Sequence, residues 1–348
     1  MNKYIFIFLI ALVIVSCSKK NKVISYETKS CENVLTKTKM NGVSFVAISS
    51  PVDSSHFTPV KKLNATWITA MPFGFIPSGS STVTYNSNWQ WIGEKKEGII
   101  NTIKLAHEKG LKVMVKPHIW ITNIWVGAMD YSTETEWENF EKSYAKYILD
   151  FARVSDSMQV ESFCIGVELK KSVVKRPIFW KSLIDSVRLV YSGKITYAAN
   201  WDNYKKVTFW NKLDYIGIDA YFPVSDKKTP SFDDCYKGWS KNYNEIKNLS
   251  NSVNKKIVFT EYGYRNIDFT GKEPWNEHGN STFNSEAQEN AYRAVFCRFW
   301  KEPWFEGAFL WKWFPNHSNA GGKANNRFTP QNKPVEDIIR NTFLETNY

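Results

Sequence analysis

Several common signatures of chemistry are missing from this sequence. Its 348 residues include only five cysteines, Cys17, Cys31, Cys164, Cys235 and Cys297. They are widely separated and form no CxxC pair, which argues against a zinc site and against a dense disulfide framework. The five histidines, His56, His107, His118, His278 and His317, show no HExxH or other ligand spacing, so neither a metal nor a cofactor is expected. Without a GxSxG or a P-loop there is no support for serine-hydrolase or nucleotide-dependent chemistry. Low complexity and fixed-period repeats are absent too, which removes disordered and solenoid readings.

What is present is the material of a large core: 43% hydrophobic and 16% aromatic residues. The formal charge of +11 comes from Lys scattered over predicted helices rather than from one block. With no nucleic-acid motif beside it, that charge reads as a solvated surface, and no nucleic-acid partner is expected.

The N-terminus reads as an address rather than as fold. Lys3 precedes an almost wholly apolar run over 4–15, shorter than the ~20 residues of a membrane span. It ends in Ile14-Val15-Ser16-Cys17, followed by Ser18-Lys19-Lys20, and resembles a bacterial lipobox in which Cys17 becomes the lipidated first residue. An ordinary signal peptide cut near the same place is the alternative. The lipobox reading divides the chain into a signal over 1–17, a polar tether over 18–38 and a catalytic domain over 39–348. The protein is then exported and lipid-anchored to the cell envelope, on its periplasmic or cell-surface face. Cys164 and Cys297 are expected as buried free thiols, and a Cys31–Cys235 bridge is left open.

From residue 41 onward, β-rich runs alternate with amphipathic segments. Strands are expected at 43–48, 65–71, 112–116, Ser162–Val167, 194–199, Tyr215–Asp219, 257–260 and 307–311, and most are the continuous apolar runs of strands covered on both faces. Helices are expected at 94–109, 134–151, 178–191, 234–250, 285–300 and 334–343. In the second of these, Thr133 and Glu136 have capping-box spacing, and Trp137, Phe140, Tyr144, Ile148 and Phe151 form a stripe that reads as core. Eight strands alternating with helices predict an α/β single domain, a (β/α)₈ TIM barrel, expected to act as a monomer. A doubly wound open sheet is the alternative, but no GxGxxG follows the first strand.

Barrel chemistry gathers at the C-terminal ends of the strands. Pro117-His118-Ile119-Trp120 follows the third expected strand, Glu168 the fourth, Asn200-Trp201 the fifth and Tyr221-Phe222 the sixth. Glu261 follows the seventh, and Lys312-Trp313 lies at the end of the eighth. One Glu after an apolar strand can be a structural group paired to Lys or Arg. Two of them across a barrel mouth suit glycoside hydrolysis, in which one carboxyl protonates the leaving oxygen and the other attacks the anomeric carbon. Desolvation on the strand side can raise such a pKa.

Glu168 in Ile165-Gly166-Val167-Glu168-Leu169 and Glu261 in Phe259-Thr260-Glu261-Tyr262-Gly263-Tyr264 resemble the clan of retaining glycosidases with catalytic Glu on strands four and seven. Lys116-Pro117-His118-Ile119, Gly217-Ile218-Asp219-Ala220-Tyr221-Phe222-Pro223 and Phe309-Leu310-Trp311-Lys312-Trp313-Phe314 further resemble glycoside hydrolase family 113, the β-1,4-mannanases, over roughly residues 40 to 345. The resemblance implies Glu168 as acid/base, Glu261 as nucleophile, Tyr221 as a hydrogen-bond donor to the nucleophile, and Trp311 or Trp313 as the floor of the sugar subsite. The clan's Asn before the acid/base is Val167 here, and its Arg near strand two is missing. Contact to the sugar 2-hydroxyl would then fall to Asn200 or His118.

Trp89, Trp91, Trp120, Trp125, Trp201, Trp275 and Trp313 lie in predicted loops, an unusual supply of flat rings unless a ligand covers them. Two long loops, 262–284 and 313–333, sit on the same rim. The resulting expectation is a retaining hydrolase of β-linked, mannose-containing glycans, with His118, Trp120, Asn200, Trp201, Tyr221, Trp311, Lys312 and Trp313 contacting the sugar. A hydrolase of another β-glycan, glucan or galactan, and a non-catalytic glycan-binding lipoprotein are the alternatives.

Overall fold

The computed structural model describes residues 38–277 and 282–347. The expected leader and tether, Cys17 as the expected lipidation residue, Cys31 and His278 lie outside the described residues, save for residue 38 at the end of the tether. Eight parallel strands close into a barrel: β1 (Met40–Phe45), β2 (Trp67–Ala70), β4 (Lys112–Val115), β6 (Ser162–Val167), β7 (Lys194–Asn200), β8 (Tyr215–Asp219), β9 (Lys256–Tyr262) and β10 (Phe305–Trp313). Closure comes from β10 pairing with β1 in the register Met40↔Gly307 to Val43↔Leu310. All eight expected strands are present, within a few residues of their expected bounds.

Around the barrel run α1 (Thr58–Lys62), α2 (Lys96–Glu108), α3 (Glu134–Ser157), α4 (Lys170–Lys175), α5 (Pro177–Arg188), α6 (Phe232–Gly238), α7 (Ser240–Val253), α8 (Ser285–Phe299) and α9 (Val335–Glu345). The Thr133–Glu136 capping box forms at the start of α3, satisfying donors that the first turn leaves unpaired. The aromatic stripe of α3 is buried throughout, as core. Where one helix was expected over 234–250 there are two. The chain bends at Trp239, which is fully buried against Phe259 and Phe299. Gly238, at the end of α6, lets the Val224 backbone pack close, because a Cβ there would stand 1.8 Å from the Val224 carbonyl oxygen.

Two shells of apolar side chains hold the barrel. Met40, Trp67, Met114, Cys164, Val167, Ala198, Val258 and Phe309 fill its interior, and a larger cluster lies between strands and helices. Gly42 is small because the Phe309 ring occupies the place of its side chain, 2.3 Å from where a Cβ would sit. His107 faces Glu161 at 3.3 Å from α2, a structural contact.

The cysteines require corrections. Cys164 is a buried free thiol as expected, but Cys235 is free as well, so a Cys31–Cys235 bridge does not form. Cys297, expected to be free, is disulfide-bonded.

One element escaped the sequence reading. Immediately beyond β2 and β4 the chain continues as β3 (Phe73–Ile76) and β5 (His118–Ile121), which pair in parallel as a two-stranded ribbon on the C-terminal rim. The period-two alternation of His118-Ile119-Trp120-Ile121 was its only local signal.

Candidate active site

Glu168 stands directly after β6 in a left-handed backbone conformation, with φ +52°. A non-glycine residue is seldom held there, and the cost of roughly 1–3 kcal/mol is met by its surroundings. Its N–H donates to the Ala198 carbonyl at 2.8 Å, and its own carbonyl accepts from the Lys170 N–H at 2.7 Å. The turn aims the carboxyl into the barrel mouth, where Trp125 Nε1 donates to Oε2 and Asn200 Nδ2 to Oε1, both at 2.8 Å. Burial and, after it, the charge of Glu261 push the Glu168 carboxyl up to about 7, against these two hydrogen bonds, which pull it down.

Glu261 lies near the end of β9, 6% exposed. Its Oε1 accepts from Lys116 Nζ at 2.5 Å and its Oε2 from the Tyr221 hydroxyl at 2.8 Å. Lys116, fully buried, also donates to the Thr260 carbonyl and lies 3.7 Å from Asp219. Burial alone would pull the ammonium down, but Asp219 and Glu261 outweigh it and its pKa ends raised. The carboxyl of Asp219 is raised well above the carboxylate range by burial and by the Glu261 charge. Its Oδ1 accepts from Thr260 Oγ1 at 2.8 Å. One buried cation thus serves two buried carboxyl groups, one of which is pushed toward its neutral form.

The sugar-facing candidates divide into groups. Tyr221 makes the contact to Glu261 that the family resemblance implied. Asn200 spends its amide on Glu168. His118 is stacked between Phe73 and Trp311, with centroids 5.2 and 6.1 Å away. Burial, then the positive charges of Lys116 and Lys312, hold its pKa well below the usual imidazole range, so it is neutral at pH 7. Trp311 is half-buried at the mouth, its indole N–H 3.4 Å from Glu277 Oε1, with the Lys116 and Lys312 ammonium groups over its ring at 5.8 and 5.2 Å. Trp313 is different. It is completely buried and stacked on His317, so it belongs to the core and only Trp311 of the pair stands at the mouth.

Trp201 and Trp275 stack at 4.8 Å and 20° beside Asn200. Trp120 is not in a loop but on β5, 60% exposed. Arg265 ties the two long rim loops together by donating to the Asn326 carbonyl, and also donates to the Asn276 carbonyl in its own loop; within the second loop the Gln331 side chain bonds both the N–H and the C=O of Phe314.

Lys116, Asp219 and Trp125 were not among the expected site residues. Lys116 and Asp219 looked like strand ends, and Trp125 like one loop Trp among several. A Lys at the end of an apolar strand was the available signal, since it must be paired once buried. Among the described residues, no group of three His, Cys, Asp or Glu is placed to hold a metal ion.

With this geometry in hand, the chain can be set beside known proteins. The profile of Glycoside Hydrolase Family 113 matches residues 49–333. No curated protein matches the sequence. Among solved structures, the GH113 β-mannanase AaManA from Alicyclobacillus acidocaldarius in complex with ManMIm superposes with a TM-score of 0.78 at 23% identity, over 89% of this chain and 99% of that one. A GH113 β-1,4-mannanase complex gives 0.76 at 21% identity, over 88% and 99%. A β-glucuronidase from Faecalibacterium prausnitzii gives 0.59 at 15% identity, over 88% of this chain but 49% of that one. At such identities these likenesses show a shared fold.

Proposed function

Since the chain belongs to glycoside hydrolase family 113, we propose that it cleaves β-linked, mannose-containing glycans with retention of configuration, Glu168 serving as acid/base and Glu261 as nucleophile. The observation that carries this reading is the unequal provision for the two carboxyl groups. Glu168 is pushed up to about 7 and so keeps a proton to give, whereas Glu261 receives a buried ammonium and a phenolic hydroxyl.

In the first step Glu168 donates its proton to the glycosidic oxygen as the bond to the anomeric carbon breaks, and a Glu261 oxygen forms the glycosyl ester. Esterification removes the negative charge of Glu261, which is the second cause of the raised Glu168 pKa. Glu168, now a carboxylate, becomes easier to keep ionised when it must act as a base. In the second step it takes a proton from the incoming water, whose oxygen displaces Glu261 from the anomeric carbon. Trp311 offers the flat face against which the reacting pyranose packs.

Export is the reading that the disulfide at Cys297 supports, because such bonds persist in oxidising compartments. Lipid anchoring at Cys17 and a monomeric state complete the proposal.

The test incubates the purified protein with β-mannan, glucomannan, cellulose and galactan, followed by product sizing and proton NMR of the earliest products. Release from mannan or glucomannan with the β-anomer appearing first is the expected result. An initial α-anomer would overturn the retaining mechanism, and turnover confined to cellulose or galactan would overturn the substrate.

A further inference from the structure

The β3–β5 ribbon has two unlike faces. Ile76, Ile119 and Ile121 point into the core, and Gly74 leaves no room for a side chain between Ile119 and Val83. The other face carries Phe73 and Phe75 from β3, in register with His118 and Trp120 from β5. Trp89, 64% exposed, packs edge-on against Phe75 at 4.6 Å. The result is a row of rings running outward from the catalytic centre: Trp311, then His118 at 6.1 Å, Phe73 at a further 5.2 Å, Phe75 at 6.4 Å and Trp89. Trp120 stands beside Phe75 at the outer end.

This row is rigid. The Tyr147 hydroxyl lies 2.9 and 3.1 Å from the carbonyls of Pro72 and His118, pinning the inner end of the ribbon to α3. Gln90 Nε2 donates to the Phe73 carbonyl, and Phe75 and Thr84 exchange both backbone hydrogen bonds. Large rings held in fixed positions and left open to water are costly for a globular protein unless something covers them.

We propose that the exposed face of the β3–β5 ribbon is a run of glycan-binding subsites, which seats the sugar units of a polysaccharide beyond the bond being cleaved. Continuity fixes the occupant: the row begins at Trp311, proposed to floor the reacting pyranose, and ends in Trp89 and Trp120, whose exposed rings match the C–H faces of successive pyranoses, while Phe73 and His118 stack on one another and carry the row between them. The proposal rests on reading the cleft as a glycan-cleaving site. It adds that this enzyme is selective for long chains, and that the selectivity lies on a ribbon outside the barrel wall.

The experiment uses the full chain and Trp120→Ala, Trp89→Ala and the double variant, with Trp120→Phe as the conservative control. Both Trp side chains are largely exposed, so far-ultraviolet dichroism and the thermal midpoint should match the parent. Hydrolysis of β-1,4-linked mannose hexasaccharide and of the shortest substrate that the parent cleaves is compared. In parallel, hexasaccharide binding is titrated by calorimetry in a Glu168→Gln background, which reports on the ribbon whether or not turnover is seen. The double variant should lose about tenfold or more in kcat/KM and in affinity for the hexasaccharide. The shortest substrate should change less than about twofold, and Trp120→Phe should keep most of the affinity.

Equal losses on short and long substrates, or unchanged hexasaccharide affinity, would overturn the proposal. A change of mass in sedimentation with unchanged affinity would also overturn it, assigning the ribbon to a second copy of the chain. Absence of parental hydrolysis on every glycan is a separate result, which fails the functional reading and leaves the binding comparison to judge the ribbon.

Discussion

Lys116 Nζ lies 2.5 Å from Oε1 of Glu261, joining two residues 145 positions apart across the mouth of the barrel. The contact ties the end of the third barrel strand to the seventh, and it sets a positive charge against the carboxyl proposed as the nucleophile. The same ammonium is 3.7 Å from Asp219, so one lysine stands between two buried carboxyl groups.

Replacing Lys116 by Met should therefore damage both stability and turnover. Removing one partner leaves buried carboxyl groups uncompensated, a loss of about 3–5 kcal/mol. Denaturant unfolding measures it, and Lys116→Met combined with Asp219→Asn should recover part of that loss. Full recovery of stability without recovery of kcat would identify the ammonium as needed by Glu261 itself.

The two glutamates should fail in distinguishable ways. Glu261→Gln should abolish hydrolysis of every substrate. Glu168→Gln should cost about 10²–10⁴-fold on natural glycosides, whose leaving groups need a proton. It should cost much less for bond cleavage in an aryl glycoside with an acidic phenol. Burst kinetics with that aryl glycoside separate the two steps, and equal losses on both substrate types would remove Glu168 from the acid role.

Activity should fall as pH rises through about 7, because Glu168 as the proposed acid must enter the cycle protonated. Trp125→Phe and Asn200→Ala each remove a hydrogen bond that lowers this pKa, so each should move the alkaline limb of kcat/KM to higher pH. A limb that moves downward, or stays put in both variants, would contradict the assignment.

The same group makes stability depend on pH. Its carboxyl rises from 4.5 to about 7 on folding, so the folded state binds the extra proton between those values. The associated stability is complete below about 4.5 and is lost as pH rises through about 7. Thermal midpoints across that window should decline less in Glu168→Gln than in the parent.

Gly217→Ala should cost about 1–3 kcal/mol by overpacking. A Cβ at that position would fall 2.3 Å from the Tyr197 carbonyl oxygen, a backbone atom of the neighbouring strand that cannot yield as a side chain could. Chemical denaturation checks it, and an effect on activity larger than the effect on stability would argue for a role in placing Asp219.

The barrel and its two principal carboxyl groups could be read along the chain. Strands covered on both faces must be continuous apolar runs, and the residue after such a run is delivered to the rim. Glu168 and Glu261 were legible for that reason, and Tyr221 through its place in a family motif. Their partners emerge from the fold alone. Lys116, Tyr221 and Glu261 come from three separate strand ends, and Glu168 is reached by Trp125 from a loop and by Asn200 from the end of β7. Such convergence depends on barrel closure and register, which leave no local pattern in the chain. Trp311 and Trp313 show the same limit at short range. Two residues apart, they look equally suited to floor a sugar, yet one lies at the mouth and the other is sealed in the core.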